Sequence, residues 1–387
     1  MRVIIACRTR FHAFSVAEEL QKRGVLTKFL TTVMITKRSL FRYVTNRRDY
    51  EEISRKNICQ LYFLLPIALI LNNRINNILF DLSVSIYLLL NKNKYDVFHG
   101  WSGMCFYSCK IARRHGKIVF IERSSTHIRT QDKILNELYS TYKIKFNIPD
   151  KVIIRELKEY QIADRILIPS KFVERSFIDQ KVPKNKLWIN NFGTNFNLKS
   201  SPQKEILTKK RKLNVVYLGA FGVRKGADVI LSLWQVLKSF QNEIGLTIIG
   251  STENIVLGIK KQLEEEGVKF LGHVPFIKLQ EQLENQDVAI QLSYEEGLSM
   301  VIPQLMSLNI PVIATESSGG EDIISNNING YVVKTGDYNE VAKKIVEIRQ
   351  NPKILEDLRR HLYNKENNLT WEKYGMKYST LLSMYEK

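Results

Sequence analysis

Along this chain, short runs of consecutive apolar residues alternate with longer segments whose apolar positions recur every three or four residues. The first run is RVIIAC, followed by a loop from Arg8 to Ala13, a helical segment AEELQKRG closed by Gly24, and a second run, TKFLTT. Runs that are apolar on both faces suit strands covered by helices above and below, so this spacing predicts a β-α-β unit with parallel pairing. The pattern recurs at DVFHG, KIVFIE and RILIPS. After Phe196 the segment LKSSPQKEILTKKRKL is polar and charged, as a linker is. A second series follows: NVVYLGAF, LTIIGS, VKFLGHV, DVAIQLS, PVIATES and GYVV, separated by helical segments such as ADVILSLWQVLKSF and EVAKKIVEIRQ. Two α/β domains in tandem are the expectation, with the ligand site in the cleft beyond the carboxyl ends of their strands. The last segment, LTWEKYGMKYSTLLSMYEK, reads as a helix.

Charge changes this picture. Of 58 Lys and Arg, 35 lie in residues 1–200, against 16 of the 39 Asp and Glu, so the net +19 falls wholly on the first half. Such asymmetry points to an anionic partner of the first domain: nucleic acid, a membrane surface or a phosphorylated acceptor. The same half holds two apolar stretches, Leu61–Leu71 and Ile78–Leu90, interrupted by Pro66 and Asp81. Both fall short of the roughly 20 apolar residues of a spanning helix. Core burial is the expectation for most of them. The nearby Arg38, Arg42, Arg47, Arg48, Arg55 and Lys56 make a peripheral contact with an anionic membrane a second reading.

Several chemistries lack their motif. The first loop, CRTRFHAF, has no glycine, which removes the dinucleotide fingerprint of a nicotinamide-linked oxidoreductase. Neither a Gly-x4-Gly-Lys-Ser/Thr nor a His-Glu-x-x-His sequence occurs, and no RNA-recognition, KH-type or zinc-knuckle pattern supports nucleic-acid binding. Cys7, Cys59, Cys105 and Cys109 form no Cys-x-x-Cys pair, and the first residues carry no signal-peptide pattern, so a reducing compartment and no metal site are expected.

The second domain carries the positive signal. GAFGVRKGADVI sets Gly219, Gly222 and Gly226 around Arg224 and Lys225 where a strand gives way to a helix. Small residues, peptide N–H groups, a helix N-terminus and a lysine together suit a phosphate. Further on, YEEGLSMVIPQLMSLNIPVIA resembles glycosyltransferase family 4, the retaining, sugar-nucleotide-dependent transferases of the GT-B fold. In that family's EGFGLxxxEAMAxGxPVIA motif, Glu296 matches the first Glu, Gly297, Leu298 and Ser299 the small loop, Gln304 the second Glu, and Pro311 to Ala314 the end. ADRILIPSKFVERSF, NNFGTNF, GAFGVRKG, VKFLGHV and TWEKYGMKYSTLLSMY are similar to further family landmarks in the same order. Two departures stand out: Ala220 occupies the place of the first phosphate-binding arginine, and Gln304 that of a carboxylate.

The resemblance implies two Rossmann-like domains facing a central cleft, with a C-terminal helix crossing back to the first. The expected boundaries are 1–197 for an acceptor-binding domain, 198–212 for a linker, 213–366 for a donor-binding domain and 367–387 for the crossing helix. It implies catalytic roles for Glu296, Lys225 and His127, the last standing for the family's His or Asp beside the reacting sugar, with Glu122 or Arg123 as alternatives. Donor contacts fall to Arg224, Gly222, Val274, Gly297, Leu298, Ser299, Met300 and Gln304, and acceptor contacts to Arg10, His12 and Arg123. No metal or cofactor is expected. The implied reaction moves a sugar from a nucleotide-sugar donor to a glycan or lipid-linked glycan, in bacterial surface polysaccharide or lipopolysaccharide assembly, at the inner face of the cell membrane. The rival readings are a catalytically impaired homologue serving as a partner subunit and a sugar-nucleotide epimerase of the same fold.

Overall fold

The computed structural model describes residues 1–9, 12–32, 53–61, 72–194, 207–208, 211–364 and 370–386. Arg10 lies outside the described residues, as do Arg38, Arg42, Arg47, Arg48, residues 62–71 of the first apolar stretch and most of the linker.

The first sheet has seven strands: β1 (Val3–Ala6), β2 (Leu26–Thr31), β3 (Ile58–Gln60), β4 (Val97–Trp101), β5 (Ile118–Glu122), β6 (Arg165–Ile168) and β7 (Leu187–Ile189). All pair in parallel, in the order β3-β2-β1-β4-β5-β6-β7. Six more, β8 (Leu213–Leu218), β9 (Ile244–Ile249), β10 (Lys269–Gly272), β11 (Val288–Gln291), β12 (Val312–Thr315) and β13 (Gly330–Val333), form a second parallel sheet ordered β10-β9-β8-β11-β12-β13. The strand order reverses between β1 and β4 in one sheet and between β8 and β11 in the other, and ligand crevices open at such reversals. Most of the apolar runs predicted as strands are central and buried, whereas the predicted run at β10 forms an edge strand that is largely exposed. The edge strands β3 and β7, three residues each and partly exposed, carry no such run and escape a hydrophobicity reading.

The helices that shape the first domain are α1 (Ala13–Lys22), α2 (Asn73–Leu90), α3 (Phe106–Arg114), α4 (Ile128–Thr141), α5 (Asp150–Ile162) and α6 (Lys171–Asp179). In α2 the Asp81 that interrupts the second apolar stretch is fully buried. It accepts from the peptide N–H groups of Tyr107 and Ser108 at the start of α3 and pairs with Arg155. The carboxylate thus fastens α2 to α3. The opposite side of α2 exposes Leu82, Ile86, Leu89 and Leu90. Core burial, expected for most of the stretch, holds for one face only.

The domains interlock more than a linker implies. Helix α4, inside the segment assigned to the first domain, buries Leu135 and Leu138 in the hydrophobic cluster of the second. The C-terminal helix Trp371–Ser383 returns to the first domain and lies against α1, with Tyr374 and Tyr378 buried. The outgoing and returning chains touch at a parallel bridge between Thr194 and Thr370. There a side chain at Gly193 would collide with the backbone of Trp371, so the crossing requires glycine.

Candidate active site

Lys225 lies in the turn after β8 and Glu296 in the loop after β11, the two strands that flank the reversal in the second sheet. Their side chains form an ion pair, and the Ser293 hydroxyl donates to the other Glu296 oxygen at 3.1 Å. Both remain about one-sixth exposed, open enough for a ligand to compete with the pair. The turn is built by glycine: Gly226 takes φ of 80° before helix α7 (Ala227–Leu237), and a Cβ there would strike the Leu292 carbonyl. Arg224, beside Lys225, turns instead to Glu295, donating to its carbonyl at 2.7 Å and lying 3.5 Å from its carboxylate. Adjacent residues on one turn thus serve the open pair and a buried contact.

Glu295 is fully buried and crosses the domain boundary. Its carboxylate accepts from the peptide N–H and hydroxyl of Thr126, at 3.1 and 2.8 Å, and from the Gln131 amide at 3.2 Å. Burial alone would raise its pKa, but Arg224 and these donors hold it below the usual range. Neither Glu295 nor Thr126 was a candidate from the sequence. The only signal was the Glu295-Glu296 pair itself, whose members the loop sends in different directions.

The family-type loop is partly consumed by domain contact. A side chain at Gly297 would collide with the Ser124 carbonyl, and the Gly297 carbonyl accepts from Ser170 Oγ at 2.5 Å. Leu298 is buried in the core, and the Ser299 N–H is already given to the Ser318 carbonyl at 2.9 Å. Met300, half-buried, caps the short helix Val301–Ser307, on which Gln304 is also half-buried. The expected room at Gly222 is filled by a carboxylate of the protein: Glu253 packs where a Cβ would lie and accepts from the Val223 N–H at 3.3 Å. Val274 lines a cavity of about 190 Å³ with Gly219, Ala220, Gly250 and His273, beyond the carboxyl ends of β8, β9 and β10.

In the first domain the expected contacts move. His127 does not face the cleft: its Nδ1 accepts from the Arg129 N–H at 3.3 Å as the cap of α4, and its ring packs on Tyr160 and Phe177. Burial, with Arg123 and Arg129 nearby, lowers its pKa to about 4. Arg123 also points inward. It donates to the Thr126 carbonyl, Glu156 and Gln131, at 3.0, 2.8 and 2.8 Å, and so shapes the loop rather than presenting a free guanidinium to an acceptor.

His12 is buried among Phe192, Trp101 and Trp371, with Nε2 2.9 Å from Glu122. The other Glu122 oxygen receives Tyr374 at 2.8 Å and lies 3.2 Å from His99. Burial opposes the charge on Glu122, but hydrogen bonds from the two histidines prevail and bring its pKa to about 2. The group seals the crossing helix onto the ends of β4 and β5 and commits His12 Nε2 to Glu122 rather than to an acceptor.

Comparison with known proteins adds identity to this geometry. Residues 200–366 match the family model described as glycosyl transferases group 1. The chain is 23% identical over 255 residues to the capsular polysaccharide biosynthesis glycosyltransferase CapM of Staphylococcus aureus, covering 60% of this chain and 66% of CapM. It is 23% identical over 300 residues to an uncharacterized 41.2 kDa protein in the cps region of Klebsiella pneumoniae, covering 73% of this chain and 75% of that one. The structure of Anabaena HepE in complex with UDP superposes with a TM-score of 0.70 at 12% identity, covering 99% of this chain and all of HepE. With two parallel sheets whose strand order reverses at β1/β4 and at β8/β11, the chain has the GT-B fold, and residues 200–366 match the group 1 family model.

Proposed function

We propose that the protein is a retaining, metal-independent glycosyltransferase that moves a sugar from a nucleotide-sugar donor to a glycan or lipid-linked glycan acceptor. The observation that carries this reading is the Lys225–Glu296 pair at the strand-order reversal of the second sheet. Breaking the anomeric C–O bond leaves an oxocarbenium-like sugar and a negative charge growing on the diphosphate. A preorganised cation aimed at that charge is worth about 3 to 4 kcal/mol. Lys225 takes this role, exchanging Glu296 for the phosphates, while Glu296, steadied by Ser293, turns to hydroxyls of the donor sugar. The nucleobase enters the cavity beside Val274, and Gln304 faces the ribose from its half-buried helix. The relative solved with UDP and the capsule-region relatives support a nucleotide donor and a role in bacterial surface polysaccharide or lipopolysaccharide assembly.

The protein works in the cytoplasm, against the inner face of the membrane. Among the described residues no helix is long and apolar enough to cross a membrane. The support for peripheral contact is α2, whose exposed Ile75, Leu82, Ile86, Leu89 and Leu90 fall on one stripe at helical spacing. Exposed Arg74, Lys92 and Lys94 stand at its ends. Arg8, in the first loop, donates to Asn73 and Asn77 of α2 at 3.1 and 2.6 Å, tying this helix to the mouth of the first sheet. The deciding experiment is nucleoside diphosphate release from a panel of nucleotide sugars, with and without acceptor glycans. Release that requires an acceptor and resists a chelator supports the proposal. Epimerised donor without release, or binding without turnover, sinks it in favour of an epimerase or an inactive partner subunit.

A further inference from the structure

A cavity of about 380 Å³ opens on the flank of the first domain, walled by the start of α4, the end of α5 and the connection from α6 to β7. Its lining includes His127, Arg129, Gln180, Lys181 and Lys186 and no acidic side chain. His127 is 2% exposed. Because its Nδ1 accepts the Arg129 N–H, the ring proton resides on Nε2, and no described residue accepts from it. Nε2 is not among the fully buried atoms that lack a partner, so this donor keeps open surface on the cavity side, where a ligand can receive it. Arg129 and Lys181, both exposed, have no acidic partner among the described residues. Lys186 donates to the carbonyls of Tyr160 and Gln161 at 3.3 and 2.8 Å, which leaves one ammonium N–H over. The positive end of α4 adds to the field. Of the acids nearby, Asp164 acts on Lys186 but pairs with Arg113 at 2.5 Å, Glu174 lies 3.8 Å from Lys184 and Asp179 is exposed, and none is on the wall.

We infer that this cavity binds a small phosphate-bearing molecule, with His127 Nε2, Arg129, Lys181 and Lys186 as donors. The volume exceeds what a bare phosphate fills and suits a sugar phosphate, since a water's share of liquid volume is about 30 Å³. The site is separate from the donor cleft, because every wall residue belongs to the first domain. It is nevertheless one residue from Thr126, whose hydrogen bonds to Glu295 join the domains, so occupancy bears directly on that contact.

Calorimetric titration of the full chain with a hexose 1-phosphate, inorganic phosphate and the neutral hexose tests the proposal. The Lys225→Ala background removes the cleft cation. Saturable binding of hexose phosphate is expected, weakened about tenfold or more by Arg129→Ala with Lys181→Ala. His127→Asn should weaken it similarly, since asparagine keeps the capping acceptor but withdraws the ring donor. Inorganic phosphate binding with the same sensitivity supports the anion site and names free phosphate as a sufficient ligand. Neutral hexose binding as tightly overturns the anion assignment. So does the absence of saturable binding, or binding that Lys225→Ala abolishes while the flank variants leave it intact.

Discussion

The carboxylate of Glu295, rooted in the second domain, holds both the peptide N–H and the hydroxyl of Thr126 in the first. One residue further on, Glu296 meets Lys225 at a pair about one-sixth exposed. Two neighbouring acids therefore divide the work: one fixes how the domains meet, the other stays available to a ligand. Glu295→Ala leaves a buried peptide N–H, a hydroxyl and the Arg224 charge without their acceptor. A loss of about 3 kcal/mol in unfolding free energy is expected by chemical denaturation. Glu296→Ala should cost less than Glu295→Ala, because solvent reaches this pair and can take over the Lys225 charge. Equal destabilisation by the two changes contradicts this division.

Lys225→Ala should lower turnover by about 10²-fold or more with little change in melting temperature, because the lost interaction is made mainly to the leaving diphosphate. Arg224→Ala should behave oppositely, costing stability through Glu295 and less in turnover. Steady-state rates beside thermal melts separate the two. Turnover within threefold of the parent protein for Lys225→Ala removes this residue from the leaving-group site.

Gln304→Ala should weaken donor binding by roughly 5- to 150-fold, the effect of stripping one hydrogen-bond partner from a desolvated hydroxyl. Gln304→Glu restores the family's carboxylate but adds charge near a diphosphate, so affinity should shift by less than about tenfold either way. Calorimetry with the preferred nucleoside diphosphate checks both. Unchanged binding in Gln304→Ala reduces the residue to helix packing.

Acid should destabilise the protein in two overlapping windows. Both His127 and Glu122 have lowered values, so each contributes stability that is present above its unfolded pKa and lost as pH falls through its folded one. For His127 that window runs from about 6.5 down to about 4, and for Glu122 from about 4.5 down to about 2. Glu159 acts in reverse. Burial and Glu156 raise it to about 8, so its contribution is complete below about 4.5 and declines as pH rises through 8. Unfolding free energy of His127→Asn, subtracted from that of the parent, should change by up to about 3 kcal/mol between pH 6.5 and 4 and stay level above. A difference that is flat across the acid range contradicts a neutral buried ring.

Ile86→Glu with Leu90→Glu should abolish flotation with anionic vesicles while leaving acceptor-dependent turnover on a soluble glycan intact. Recovery of the parent protein should fall steeply with salt, since each basic residue near the surface adds about 1 kcal/mol and is screened. Equal recovery on neutral and anionic vesicles removes the membrane reading.

The tandem α/β plan was legible in the sequence because parallel strands buried on both faces leave unbroken apolar runs, and VIIA, IVFI and VAIQ need no neighbour to be recognised. The glycines around Lys225 mark it locally and a family resemblance marks Glu296, but that the two side chains meet is written in neither. What no local pattern contains is direction. Nothing in FIERSSTHIRT says that Arg123 folds inward, that Thr126 meets the other domain and that His127 turns its ring onto Tyr160 and Phe177. Nor does a lone Asp81 in an apolar stretch announce that it will hold the first turn of another helix. Those outcomes depend on partners distant in the chain: 169 residues separate Thr126 from Glu295, and 252 separate Glu122 from Tyr374. A buried charge or donor takes its role from whatever satisfies it, and only the tertiary structure brings that group within reach.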